Sequence, residues 1–159
     1  MPITLEEAQI YDPYEVYMRQ VITDSFKYNQ LHSKLNTLSD NLLDFVFSPE
    51  PAEFIKDKIS MPFNLDENQS KEIAKIVMEI IVADSYLGNI IEQIRQRAFV
   101  DEQKAKTIAG LVVAELFTPI LDELKKKHVE KFSQMAMKQN PAPPSGDDSV
   151  IDLRKEFKI

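Results

Sequence analysis

This 159-residue sequence predicts an all-α fold, a helical bundle or short solenoid built on two tandem helix-turn-helix units, and three observations carry that expectation. Residues 55–79 align with residues 90–114 at a constant offset of 35, with no gap. The shared positions are Ile55/Ile90, Ile59/Ile94, Asp66/Asp101, Glu67/Glu102, Lys71/Lys106, Ile73/Ile108, Ala74/Ala109 and Val77/Val112. A fixed offset of this size marks a small supersecondary unit written twice, each copy too small to bury its apolar face alone. Glycine occurs only at positions 88, 110 and 146, which disfavours the many tight turns of a β fold. Apolar residues also recur at three- and four-residue steps over much of the chain, the period of a helix face.

The elements follow in order. Thr4 and Glu7 spell a capping box for a short first helix. Asp12, Pro13 and Glu15 then give a cap, a favoured first helical residue and a box partner. From there Tyr14, Tyr17, Val21, Tyr28, Leu31, Leu35, Leu38, Leu42 and Phe45 form a heptad-like row, broken only at Asp24, which predicts a long N-terminal helix over 13–47. Further apolar residues at Met18, Ile22, Phe26, Leu43 and Val46 widen that stripe toward packing within one chain, and a homodimer seam along 14–45 is the alternative. Asn36, Thr37, Ser39 and Asp40 are poor helix-interior residues, so Ser39 can cap a new segment there. Leu38, Leu42, Phe45 and Val46 match Ile73, Val77, Ile80 and Ile81 at the same offset, as a degenerate first copy would.

Pro49 and Pro51 force a turn. The first unit, 49–84, has a short helix at Glu53–Ile59, a connection through Met61-Pro62-Phe63, and a longer helix capped by Asn64 with Glu67. Gly88 is expected to end it in the left-handed conformation. The second unit, 85–118, restarts with an Asn89–Glu92 capping box, and Asp101 opens its longer helix. Thr118-Pro119 marks a fresh start, and a C-terminal helix over 119–138 carries Leu121, Leu124, Val129, Phe132, Met135 and Met137. Residues 1–138 thus read as one helical domain. The stretch 139–149, with Pro141, Pro143, Pro144, Ser145 and Gly146, reads as a disordered linker.

Beyond it, residues 150–159 alternate Ile151, Leu153, Phe157 and Ile159 with Asp152, Arg154, Glu156 and Lys158. An extended segment of that pattern is shaped to add to a partner's sheet edge or to lie in a groove, and those four apolar residues are the candidate partner-binding residues; folding back on the chain's own helices, or idle disorder, is the alternative.

Composition restricts the chemistry. The net charge is −7, with twelve acidic residues against five basic ones over residues 1–70, a surface that would repel a phosphate backbone, so no nucleic acid is expected. The basic cluster Lys125, Lys126, Lys127, His128 and Lys131 lies among Asp122, Glu123 and Glu130 and reads as a solvated helix face. With no cysteine, a disulfide scaffold, a thiolate zinc site and a cysteine nucleophile are all removed. The residues three before His32 and His128 are Asn29 and Lys125, so the Glu-x-x-His pairs of di-iron bundles are missing. No phosphate loop and no Gly-x-Ser-x-Gly elbow occur. The Asp-Glu pairs at 66–67 and 101–102 sit in first helical turns, where the helix dipole favours them structurally. No catalytic, cofactor or metal residues are assigned. The first ten residues lack the apolar core of a secretory signal, no apolar run is long enough for a transmembrane segment, and a cytoplasmic location is expected.

The run 42–54 (LLDFVFSPEPAEF), the stretch 101–121 (DEQKAKTIAGLVVAELFTPIL) and VIDLR at 150–154 resemble small helical proteins of unknown function from candidate-phylum, Patescibacteria-like bacteria. The resemblance covers most of the chain from Leu42 onward. It implies a helical fold and a bacterial source and transfers no site. Two functions follow from the residues: a non-enzymatic protein-interaction module, scaffold or adaptor, with a tethered binding peptide at 150–159, or an acidic dimeric chaperone or assembly factor that holds a client in an apolar groove.

Overall fold

A computed structural model describes residues 3–139, and within them the chain is all-α. The Met135 and Met137 side chains, the linker from residue 140 onward, and Ile151, Leu153, Phe157 and Ile159 lie outside the described residues. Helix α1 is Leu5–Tyr11, α2 Pro13–Val21, α3 Ser25–Asn36 and α4 Asp40–Phe47. Helix α5, Glu50–Phe54, runs into a π-helical turn at Ile55–Ser60. Helix α6 is Glu67–Ile81, α7 Ile90–Arg97 and α8 Glu102–Leu111. A second π turn, Val112–Leu116, and a short 3₁₀ turn, Thr118–Ile120, lead into α9, Leu121–Gln139.

The first cap signals hold. Thr4 and Glu7 close their reciprocal box at 3.1 Å each way, and Asp12 accepts from the Tyr14 and Glu15 amides with Pro13 in the first turn. The single N-terminal helix over 13–47 is not what forms. Asp24 leaves the helical path and caps α3 through the Lys27 amide at 3.1 Å, and Ser39 caps α4 through the Leu42 amide at 3.3 Å. Both are residue types whose side chains compete for nearby backbone donors, so the periodic row is folded into three rods. The row faces its own chain: Leu31, Leu35, Leu38, Leu42 and Phe45 are buried, and Tyr14, Tyr17 and Val21 pack on the core. The 14–45 row is interrupted at Asp24 and at Thr37–Ser39 instead of forming one continuous helix.

Helix α6 is the axis of the molecule. Ile73, Ala74, Ile76, Val77, Met78, Ile80 and Ile81 are all buried, on more than one face, because α1 and α2 pack on one side and α7 on another. A helix apolar on several faces has to be enclosed on several faces. Helix α7 packs in turn against α8, and α8 reaches back to the first π turn.

Some backbone features recur at the offset of 35, while the π turns do not: Ile55–Ser60 corresponds to α-helical 90–95, and Val112–Leu116 to α-helical 77–81. Asp66 and Asp101 each cap the longer helix of their unit, accepting from the Gln69 amide at 2.8 Å and the Lys104 amide at 2.7 Å. The connection before each cap passes through a left-handed residue, Asn64 (φ 53°) and Phe99 (φ 54°). The paired residues Ile59/Ile94, Ile73/Ile108, Ala74/Ala109 and Val77/Val112 are all buried. The Gln69 side-chain amide donates to the Ala98 carbonyl at 2.8 Å and ties the start of α6 to the turn of the second unit.

Three local expectations are corrected. The cap of α6 is Asp66 with Gln69 as box partner, because Asn64 is used instead for the left-handed turn that asparagine tolerates. Helix α6 ends before Gly88, which is not left-handed: Ala83 (φ 62°) takes that role, and the Asp84 amide bonds the Glu79 carbonyl while the Ala83 amide bonds that of Ile80, a Schellman closure. Asn89 makes no side-chain cap, since Glu92 is turned to Arg95 and Gln96.

Candidate functional site

Recesses on the described surface differ in the state of their charges. Two adjoin along α6 and share Gln20. One, about 360 Å³, holds Tyr17, Lys34 and Asp84; the other, about 480 Å³, holds Glu72, Lys75, Arg97 and Phe99. Their charges are already satisfied internally. Tyr17 and Lys34 both donate to Asp84 Oδ2, at 2.8 and 2.7 Å, and burial with the Asp84 hydrogen bond pushes the Tyr17 hydroxyl well above the usual phenol range. Arg97 grips both Glu79 oxygens at 2.7 and 2.8 Å, and Lys75 bonds Glu72 at 2.8 Å. These networks hold α2 and α3 to the end of α6, and α7 to α6.

A third recess differs in kind. Glu50, Glu53, Asp57, Lys58 and Glu115 line a cleft of about 300 Å³ together with the apolar residues Phe54, Leu116 and Pro119. That volume is at the small end of ligand cavities, roughly 300–1,000 Å³, and suits one or two inserted side chains. Four carboxylates face one lysine here, and none of the four forms a salt bridge among the described residues. They do not converge to hold a metal ion either. Among the described residues the cleft therefore presents an excess of negative charge beside apolar side chains.

Its walls are the two π turns. Asp57 and Lys58 stand on the first and Glu115 and Leu116 on the second, each turn closed by a bond five residues long: Met61 amide to Lys56 carbonyl at 3.1 Å, and Phe117 amide to Val112 carbonyl at 2.8 Å. Such turns are rare, under about 1% of residues in folded proteins, and are frequent at functional sites. Both described here border one cleft.

Within the basic cluster on α9, Lys126 and Lys131 are exposed as the solvated reading expects, and His128 is the correction to it. His128 is fully buried. Its Nδ1 accepts the Leu87 amide at 3.0 Å, so the neutral ring carries its proton on Nε2 and donates to the Ile80 carbonyl at 2.7 Å. Burial, with Lys131 and Lys127 nearby, lowers its pKa to about 4. Lys131 caps the Ala83 carbonyl and Lys127 reaches Thr37 at 3.3 Å. At the start of α9, Glu123 accepts from Ser39 at 2.5 Å and Asn41 at 2.9 Å, which holds its carboxyl below the usual range. His128, Lys131 and Lys127 thus tie α9 to the rest of the fold. His32, the other histidine, stacks edge-on against Tyr28 at 4.5 Å.

The candidate partner-binding residues Ile151, Leu153, Phe157 and Ile159 are outside the described residues, so the site built here is one the sequence did not single out. Among the described residues no helix is long and apolar enough to cross a membrane. No protein-family model matches the chain, and neither the curated proteins nor the solved structures compared with it gave a match.

Proposed function

We propose that this protein is a non-enzymatic interaction module, a helical adaptor or scaffold that works by binding another protein in a cysteine-free, cytoplasmic setting. The observation that carries this reading is the cleft between the π turns, where four carboxylates with no salt bridge among the described residues line the same recess as Phe54, Leu116 and Pro119. An excess of one charge beside apolar side chains is the composition of a recognition patch: the apolar contact supplies affinity, and the charge selects partners by sign. A partner segment that inserts an apolar side chain and flanks it with lysine or arginine fits both features.

The segment 150–159 is the second binding element in this reading, with Ile151, Leu153, Phe157 and Ile159 as its apolar contacts. Affinity capture with the full chain tests both. Proteins retained by the native chain are expected to be lost with Leu153→Asp/Phe157→Asp or with Glu53→Lys/Glu115→Lys, while both variants keep native helicity and melting. Identical retention by all three forms would end the reading.

A further inference from the structure

The cleft and the segment 150–159 are complementary to one another, and we infer that, without a partner, the chain's own 150–159 segment occupies the cleft between the π turns. This rests on the reading of 150–159 as a binding segment and adds the regulation of that binding: a partner must displace an internal competitor.

Charge is the first ground. The cleft carries Glu50, Glu53, Asp57 and Glu115 against Lys58, and none of the four carboxylates has a salt-bridge partner among the described residues. The segment carries Arg154, Lys155 and Lys158 against Asp152 and Glu156, with the two adjacent cations directly after Leu153. Leu153 against the apolar residues of the cleft places Arg154 and Lys155 near its carboxylates. Neither of the mixed-charge recesses along α6 offers this match, because Asp84, Glu72 and Glu79 are already paired.

Reach is the second ground. The cleft includes Pro119, two residues before α9 begins, so α9 leads away from it for its 19 residues, about 28 Å at 1.5 Å per residue. From Gln139 to Val150 the chain takes eleven residue steps. As proline-rich extended chain these cover about 34 Å at 3.1 Å per residue, enough to run back along α9 to its start. A much shorter connection would not return.

Tethering lowers the affinity that is needed. A short connection holds the segment at an effective concentration on the order of millimolar, so a contact with a dissociation constant of that order keeps the cleft about half occupied. A contact that weak is readily displaced by a partner that binds better.

The chain has no cysteine, so Val150→Cys gives a single position for a nitroxide label on the full-length protein. In the isotope-labelled chain, the nitroxide is expected to cut amide signal intensities at residues 53–58 and 115–119 by at least half at low salt. Signals of α7 and its following turn should be unaffected. Adding Arg154→Glu/Lys155→Glu should restore the lost intensity, and adding Glu53→Lys/Glu115→Lys to that chain should bring the broadening back. Absent broadening at the cleft, broadening elsewhere on the surface, or broadening indifferent to charge reversal would overturn the inference. So would an effect seen equally when nitroxide-bearing unlabelled chains are mixed with isotope-labelled chains, which would make the occupant a second copy. Partner capture that depends on 150–159 without cleft broadening would refute the internal docking and leave the interaction reading intact.

Discussion

Asn64 and Phe99, 35 residues apart, hold the same left-handed backbone at φ 53° and 54°, each two residues before the aspartate that caps the next helix. Asparagine accepts this conformation readily and phenylalanine does not, at a strain of about 1–2 kcal/mol. Phe99 is also 84% exposed and so recovers little by burial. Phe99→Gly is expected to raise stability by about 0.5–1 kcal/mol after the entropy that glycine adds to the unfolded chain. Phe99→Val should lower it. Urea unfolding of both variants checks the sign.

His128 makes stability depend on pH. Its folded pKa of about 4 lies below the ordinary 6.5, so between those values the unfolded chain binds a proton that the folded chain does not. Stability from this group is full above pH 6.5 and is lost as pH falls toward 4, up to about 3 kcal/mol in all. His128→Ala should remove that part of the pH dependence while costing about 2–4 kcal/mol near neutrality, because the Leu87 amide and Ile80 carbonyl lose their partner. A native chain equally stable at pH 7 and pH 4.5 would contradict the assignment.

Arg97 ties α7 to α6 by gripping both oxygens of Glu79. An ammonium cannot reproduce that fork, so Arg97→Lys should cost about 1 kcal/mol although the charge is kept. Thermal melting at low and high salt checks it; an unchanged midpoint at both would remove the fork from the account.

The Tyr14–Phe45 row is spent inside its own chain, so the chain is expected to be monomeric. Light scattering should return a mass near 18.3 kDa across a wide concentration range. A persistent dimer would show that another surface pairs two copies and would revive the dimeric chaperone.

Much of the fold was legible because its signals are local. Thr4, Asp12, Ser39 and Asp101 are caps readable from three or four residues, and the offset of 35 located two units whose paired side chains share burial. Choices between equivalent signals were not legible. Asn64 and Asp66 are both good caps, and the left-handed turn decides between them; Ala83 displaces Gly88 because α6 ends earlier than the next glycine. His128 looked solvated among lysines, yet it continues the stripe of Leu121 and Leu124 at helical spacing, a signal that outweighs local charge. The cleft was hidden for a different reason. Its acidic residues come from 50–57 and from 115, and π turns have no composition by which a single sequence announces them.

The central claim is that partners are received at the cleft between the two π turns. Hydrogen exchange on the full chain, free and bound to a protein it captures, tests this most directly. The account predicts slowed exchange in the bound state at residues 53–60 and 112–119 with little change along α2 and α3. Protection confined to α2, α3 or the groove beside Phe99, with both π turns exchanging as in the free chain, would contradict it.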